Sequence, residues 1–232
     1  MTPGSVRERL QARPTLLVPV GTTEQHGPHL PLGCDTIIVE HLADDLSASH
    51  GVIRTPTLEY GVHASSRTNP GGASLRRRTL HRVMNELIES WEEGAGVREL
   101  VILTAQTSEA HLEALSTIRT DGATIQVIDI FELDFGDLLE YPDAPVQGGE
   151  LDTSLLLHLA PELVHMELSR DFAMSPRTMQ KYRPGQSRQL PPGSPGSIGY
   201  PSLASPQKGA TLYRFILDRI GRCLGEPEAS GA

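Results

Sequence analysis

The stretch Gly21-Thr22-Thr23-Glu24-Gln25-His26-Gly27-Pro28-His29-Leu30-Pro31-Leu32-Gly33-Cys34-Asp35 sets two carboxylates and two imidazoles within fifteen residues, spaced by glycine and proline. Glu24 and His26 are two apart, so an extended segment points both to the same side. A carboxylate and an imidazole so placed bind Zn2+, Mn2+ or Fe2+ together. Asp35 returns from the end of the turn, where it can add a third or bridging oxygen. Two ions a few ångströms apart would generate hydroxide and polarise a carbonyl. A second arrangement uses the same residues: a structural turn in which His and Glu cap neighbouring backbone groups.

These residues need a scaffold, and the flanking patterns supply one. Leu16–Val20 is a short apolar run suited to a buried strand. Thr36–Leu46 has near-helical apolar spacing, with Asp35 at its N-cap or first turn, where a carboxylate is favoured. Gly51–Leu58 reads as a second strand, and Tyr60–Ala73 as a Gly/Ser/Asn/Pro loop. Thr79–Gly94 carries Leu80, Val83, Met84, Leu87, Ile88 and Trp91 on one face of a helix. A strand over Leu100–Leu103, a helix over Glu109–Ile118, a strand over Thr124–Ile130 and a short helix over Asp152–Leu159 follow. Such alternation predicts a three-layer α/β/α fold with a mainly parallel central sheet. Ligands in such sheets sit beyond the carboxyl ends of the strands, which is where the loops after Val20 and Leu103 fall.

The rest of the chain bounds the function. Its 232 residues suit one domain, and 38% apolar with 21% charged residues is ordinary for a globular protein. A net charge of −9 argues against a nucleic-acid-binding face. Two cysteines far apart make no disulfide framework, so the cytosol is the expected compartment. No apolar run approaches the length needed to span a membrane. Pro184–Pro206 holds six prolines among Gly and Ser, a composition expected to bury little and to form a loop or lid. Lys208–Leu224 resumes helix, and residues 226–232 are a polar tail.

The run from Val18 to Thr36 resembles the signature of the creatininase family, and the similarity continues weakly over most of the chain. Asp152-Thr153-Ser154 resembles that family's Glu-Thr-Ser helix, and Gly196–Ala210 its late Gly-x-x-Gly-x-Pro loop. Length and this C-terminal pattern lie nearest the family's mycofactocin-maturing peptidases. The resemblance implies a divalent metal (Zn, Mn or Fe; one or two ions) on Glu24, His26 and Asp35, with Asp35 bridging. It also implies a small-molecule or short-peptide substrate and a homo-oligomer, commonly a hexamer.

The chain departs from that pattern in three places. Where relatives have Asn-Gly-His-Gly-Gly-Asn, it reads Thr104-Ala105-Gln106-Thr107-Ser108-Glu109, with Gln106 at the histidine. An amide is a poorer zinc ligand than imidazole. Glu109 is a replacement ligand or a first-turn acid, and His111 reads as an exposed or capping helix residue that substitutes as a ligand only if the backbone shifts. In the loop before Ser74, His63 is shifted by three positions from the expected imidazole, and pocket or surface are equally open to it. Gln147-Gly148-Gly149-Glu150 stands where relatives have His-Ala-Gly-Glu, so Glu150 is taken as fourth ligand or general base and Gln147 replaces the proton donor. Gln106, His63, Ser74 and Glu109 are assigned to substrate binding; Glu150, Asp35 and Gln147 to catalysis. Four ligands (Glu24, His26, Asp35, Glu150) fall short of the about six a two-ion centre needs. One ion or an altered centre is therefore expected. Three functions follow: a metal-dependent amidohydrolase, the same pocket turned to a non-hydrolytic cyclisation, dehydration or isomerisation, or a non-catalytic binding partner.

Overall fold

The strands align their carboxyl ends, and this builds the site. In the computed structural model, which describes residues 1–63, 70–142, 147–179 and 190–225, β1 (Thr15–Val20), β2 (Ile53–Arg54), β3 (Glu99–Thr104) and β4 (Thr124–Asp129) form one parallel sheet in the order β2-β1-β3-β4. Val20 pairs with Thr104 and Thr104 with Asp129, so the three strand ends share one edge. The expected strand over Gly51–Leu58 is shorter than its pattern suggests. Only two residues pair, and Leu58 returns to bridge Val20 after the chain turns at Pro56, which has no N–H to give a ladder.

Alternate strand residues feed two separate cores, which makes three layers. Leu17, Val101 and Leu103 face α2 (Cys34–His50), α5 (Glu150–Leu159) and α7 (Pro206–Leu224). Leu16, Val18, Val20, Leu100 and Ile102 face α3 (Arg77–Ala95) and α4 (Glu109–Ser116). A helix α1 (Pro3–Ala12) that apolar periodicity did not announce precedes the sheet. Thr2 and Ser5 cap it reciprocally, which stabilises a short polar helix through its end rather than its face. A single turn α6 (Pro176–Met179) lies between α5 and α7.

Part of the proline-rich segment corrects its expectation. Residues 180–189 lie outside the described residues, as do 64–69 of the Tyr60–Ala73 loop and the 226–232 tail. Residues 196–199, however, are buried and form a wall: Ile198 bridges Gln147, Gly199 bridges Phe172, and the Gly196 carbonyl accepts from Gln25 Nε2 at 2.9 Å. Composition predicted poor burial, but backbone pairing buries this stretch with Ile198 as its one large side chain.

Candidate metal centre

Asp35 is the hub of the site. It lies in the first turn of α2, directly after β1, and is fully buried. Its Oδ2 accepts from Thr22 Oγ1 at 2.6 Å, and its Oδ1 faces His26 Nε2 at 2.9 Å. His26 Nδ1 donates to the Glu24 carbonyl at 3.1 Å, which leaves Nε2 as the nitrogen turned to the cluster. Burial disfavours the imidazolium, but Asp35, with Asp152 and Glu24 behind it, holds the His26 pKa up to about 10. A proton on His26 thus stands where a cation would neutralise these acids.

The acid of α5 that acts on the His26–Asp35 pair through its charge is Asp152 rather than the expected Glu150. Glu150 turns away to pair with Lys208 Nζ and to accept the Glu140 N–H at 3.2 Å. Asp152, two residues on, is fully buried, and burial first, then Asp35, pushes its pKa up to about 6 against the pull of His26. One of its oxygens accepts the Gly148 N–H; the other, Oδ1, has no hydrogen-bond partner. Gly148 can lie here because its φ is +61° and a Cβ would strike the His26 carbonyl. The Asp-Thr-Ser run is the sequence signal that points to Asp152.

Other expected residues divide. His63 reaches the site, with Nδ1 3.6 Å from Glu24 Oε1. Gln106 reaches it too, with Nε2 donating to Glu24 Oε2 at 2.6 Å and lying 3.4 Å from Asp35 Oδ2. Gln147 spends its amide on the Gln25 carbonyl at 2.6 Å, so it shapes the loop; an amide also carries no proton to give at neutral pH. Ser74 is exposed and bonds the His63 backbone, so it supports His63 rather than facing a pocket. Glu109 is exposed in the first turn of α4, the favourable place for an acid.

His111 is buried rather than exposed. Its Nδ1 accepts the Val62 N–H, so its proton lies on Nε2, which donates to Thr104 Oγ1 at 3.0 Å. Burial, helped by His63 and opposed by Asp35, lowers its pKa to about 4. A folded value below the ordinary 6.5 means that its contribution is whole above pH 6.5 and is lost as pH falls towards 4. The wild type is therefore expected to lose about 3 kcal/mol relative to His111→Gln across that window. Denaturant unfolding of both proteins at several pH values reads this directly.

Two further residues of the loop, given no role from the sequence, lie in the cluster. His29 is buried, its Nε2 2.9 Å from Thr153 Oγ1, and burial and the neighbouring His26 lower its pKa to about 4. Cys34 is buried beside Asp35, and ligand atoms of His26, Cys34 and Asp35 all lie within 4.8 Å of one another. That grouping fits a divalent cation: a carboxylate, an imidazole and a thiol converge in a buried place, with the unpartnered Asp152 oxygen also buried.

The chain thus combines a parallel sheet, covered by helices on both faces, with a buried acid–imidazole cluster beyond its strand ends. The chain belongs to the creatininase family: the family model described as creatinine amidohydrolase matches residues 1–224. It is 27% identical over 230 residues to the mycofactocin precursor peptide peptidase of Mycolicibacterium smegmatis, covering 94% of this chain and 88% of that one. It is also 27% identical over 237 residues to the creatinine amidohydrolase of Pseudomonas putida, covering 91% and 88%. Among solved structures, the manganese form of creatininase superposes with a TM-score of 0.78 at 21% identity, covering 97% of this chain and 95% of the other. A zinc–zinc form of a creatininase mutant gives 0.77 at 22% identity with the same coverage. The chain is thus an amidohydrolase-like enzyme. Among the described residues, no helix is long and apolar enough to cross a membrane.

Proposed function

We propose that this chain hydrolyses a carbonyl C–N bond, in a cyclic amide, a formamide or a peptide end, with His26, Asp35 and Asp152 holding a divalent ion. The observation that carries this reading is the Asp152 oxygen, fully buried and unpartnered beside the His26–Asp35 pair. A bound ion would lower the pKa of water and polarise the carbonyl. The protein's own residues do the rest. Thr22 fixes Asp35 by one oxygen and leaves the other towards His26. The Glu24 carbonyl orients His26, and the Gly148 N–H orients Asp152. Glu24, held by Gln106 and facing His63, is the carboxylate left to accept a proton from the attacking water. The wall formed by Gln147 and residues 196–199 excludes bulk water from the back of the loop. Assembly as a homo-oligomer, which rests on family resemblance, and a cytosolic location, which rests on the lack of a disulfide framework, belong to the same reading.

The test uses protein loaded with Zn2+ or Mn2+ and offered short peptides, N-formyl amines and cyclic amides including creatinine in 18O-water. Mass spectrometry should find one 18O in the carboxylate product of one class, and chelation should abolish it. Turnover without label would replace hydrolysis by a cyclisation, dehydration or isomerisation. No turnover with any class would favour a binding role.

A further inference from the structure

The Gln106 carboxamide is anchored at both ends. Its Oε1 accepts the Ser108 N–H at 2.9 Å, so its NH2 group must point the other way. There Nε2 meets Glu24 Oε2 at 2.6 Å and Asp35 Oδ2 at 3.4 Å. The gap between these carboxylates therefore receives hydrogens with partial positive charge and no lone pair. A cation there would have no ligand from Gln106 and would be repelled by its amide hydrogens. Turning the amide over would offer Oε1 but would set NH2 against the Ser108 N–H, leaving a donor unpaired in a largely buried place. At the other oxygen of Asp35 the balance reverses: Oδ1 faces His26 Nε2 at 2.9 Å, and ligand atoms of His26, Cys34 and Asp35 lie within 4.8 Å of one another with no amide among them.

We propose that the centre holds one divalent ion, on the His26 side of Asp35, and that the Gln106 carboxamide takes the place of a second ion beside Glu24. The proposal rests on the metal-dependent reading above and adds where the ion sits and how many there are. Glu24 then serves as a hydrogen-bond acceptor rather than a ligand.

Elemental analysis after equilibration with Zn2+ and removal of excess tests it without any substrate. The wild type should carry one zinc per chain, as should Glu24→Ala, while His26→Ala should carry none. Gln106→His, which supplies an imidazole in place of the amide, should raise the content towards two. Two zinc ions in the wild type, with Glu24→Ala removing one, would overturn the proposal and place the second ion between Glu24 and His63. So would a Gln106→His variant that unfolds cooperatively like the wild type yet still binds one. No zinc in the wild type would overturn the metal-dependent reading itself, a different result from two.

Discussion

Asp152→Asn is expected to weaken Zn2+ binding by at least about 100-fold while leaving the metal-free protein as stable as before, or more so. Loss of an outer partner of a metal ligand costs about 10–100-fold in affinity, so loss of an anionic ligand should exceed that. Asparagine is nearly isosteric, and its carbonyl oxygen can still accept the Gly148 N–H that Asp152 now accepts. What changes is the charge. Burial disfavours the Asp152 carboxylate in the metal-free protein, as its pKa of about 6 records. A neutral amide removes that cost near neutral pH. Competition with a chelator reads the affinity, and calorimetric unfolding of the apo proteins reads the stability. Unchanged affinity would remove Asp152 from the ligand set; a large fall in apo stability would make it a structural group instead.

Gly209→Ala is expected to cost about 3 kcal/mol or more of folding stability, although alanine is the better helix former by about 1 kcal/mol. Gly209 lies in α7 against α5, and a Cβ there would run into the Ser154 carbonyl oxygen. The obstacle is backbone, which cannot swing aside as a side chain can. Relief requires α5 to move, and α5 carries Asp152 and Thr153, so metal affinity should fall with stability. Urea unfolding of the metal-free variant measures the first effect. A cost below about 1 kcal/mol would mean that the α5–α7 contact yields, and with it the claim that close helix packing fixes Asp152.

Most of the scaffold is legible because burial imprints a period on the sequence. Thr79–Gly94 becomes α3 at Arg77–Ala95, and Glu109–Ile118 becomes α4 at Glu109–Ser116. Elements held by backbone contacts are less legible. The cap at Thr2 relies on hydrogen bonds between polar residues and the wall at residues 196–199 on backbone bridges, and neither leaves an apolar stripe.

At the metal centre the division is sharper. The residues from Glu24 to Asp35 are close in the chain, so their types and spacing already fixed His26 and Asp35 as neighbours at a strand end. The same local order placed Glu24 beside them. Only the fold decided that Gln106, brought from the end of β3, would claim the Glu24 carboxylate through its amide, because Ser108 dictates which way that amide faces. Only the fold brought His63 back to Glu24 from beyond β2. Glu150 and Asp152 show the reason most plainly. Both are acids in the first turn of α5, but two residues around a helix is roughly 200°, so they look in nearly opposite directions. The sequence determined that an acid from this turn would be available. The packing of α5 against α2 and α7 determined that Glu150 meets Lys208 and Asp152 meets the His26–Asp35 pair, since facing is set by what each side of a helix is pressed against.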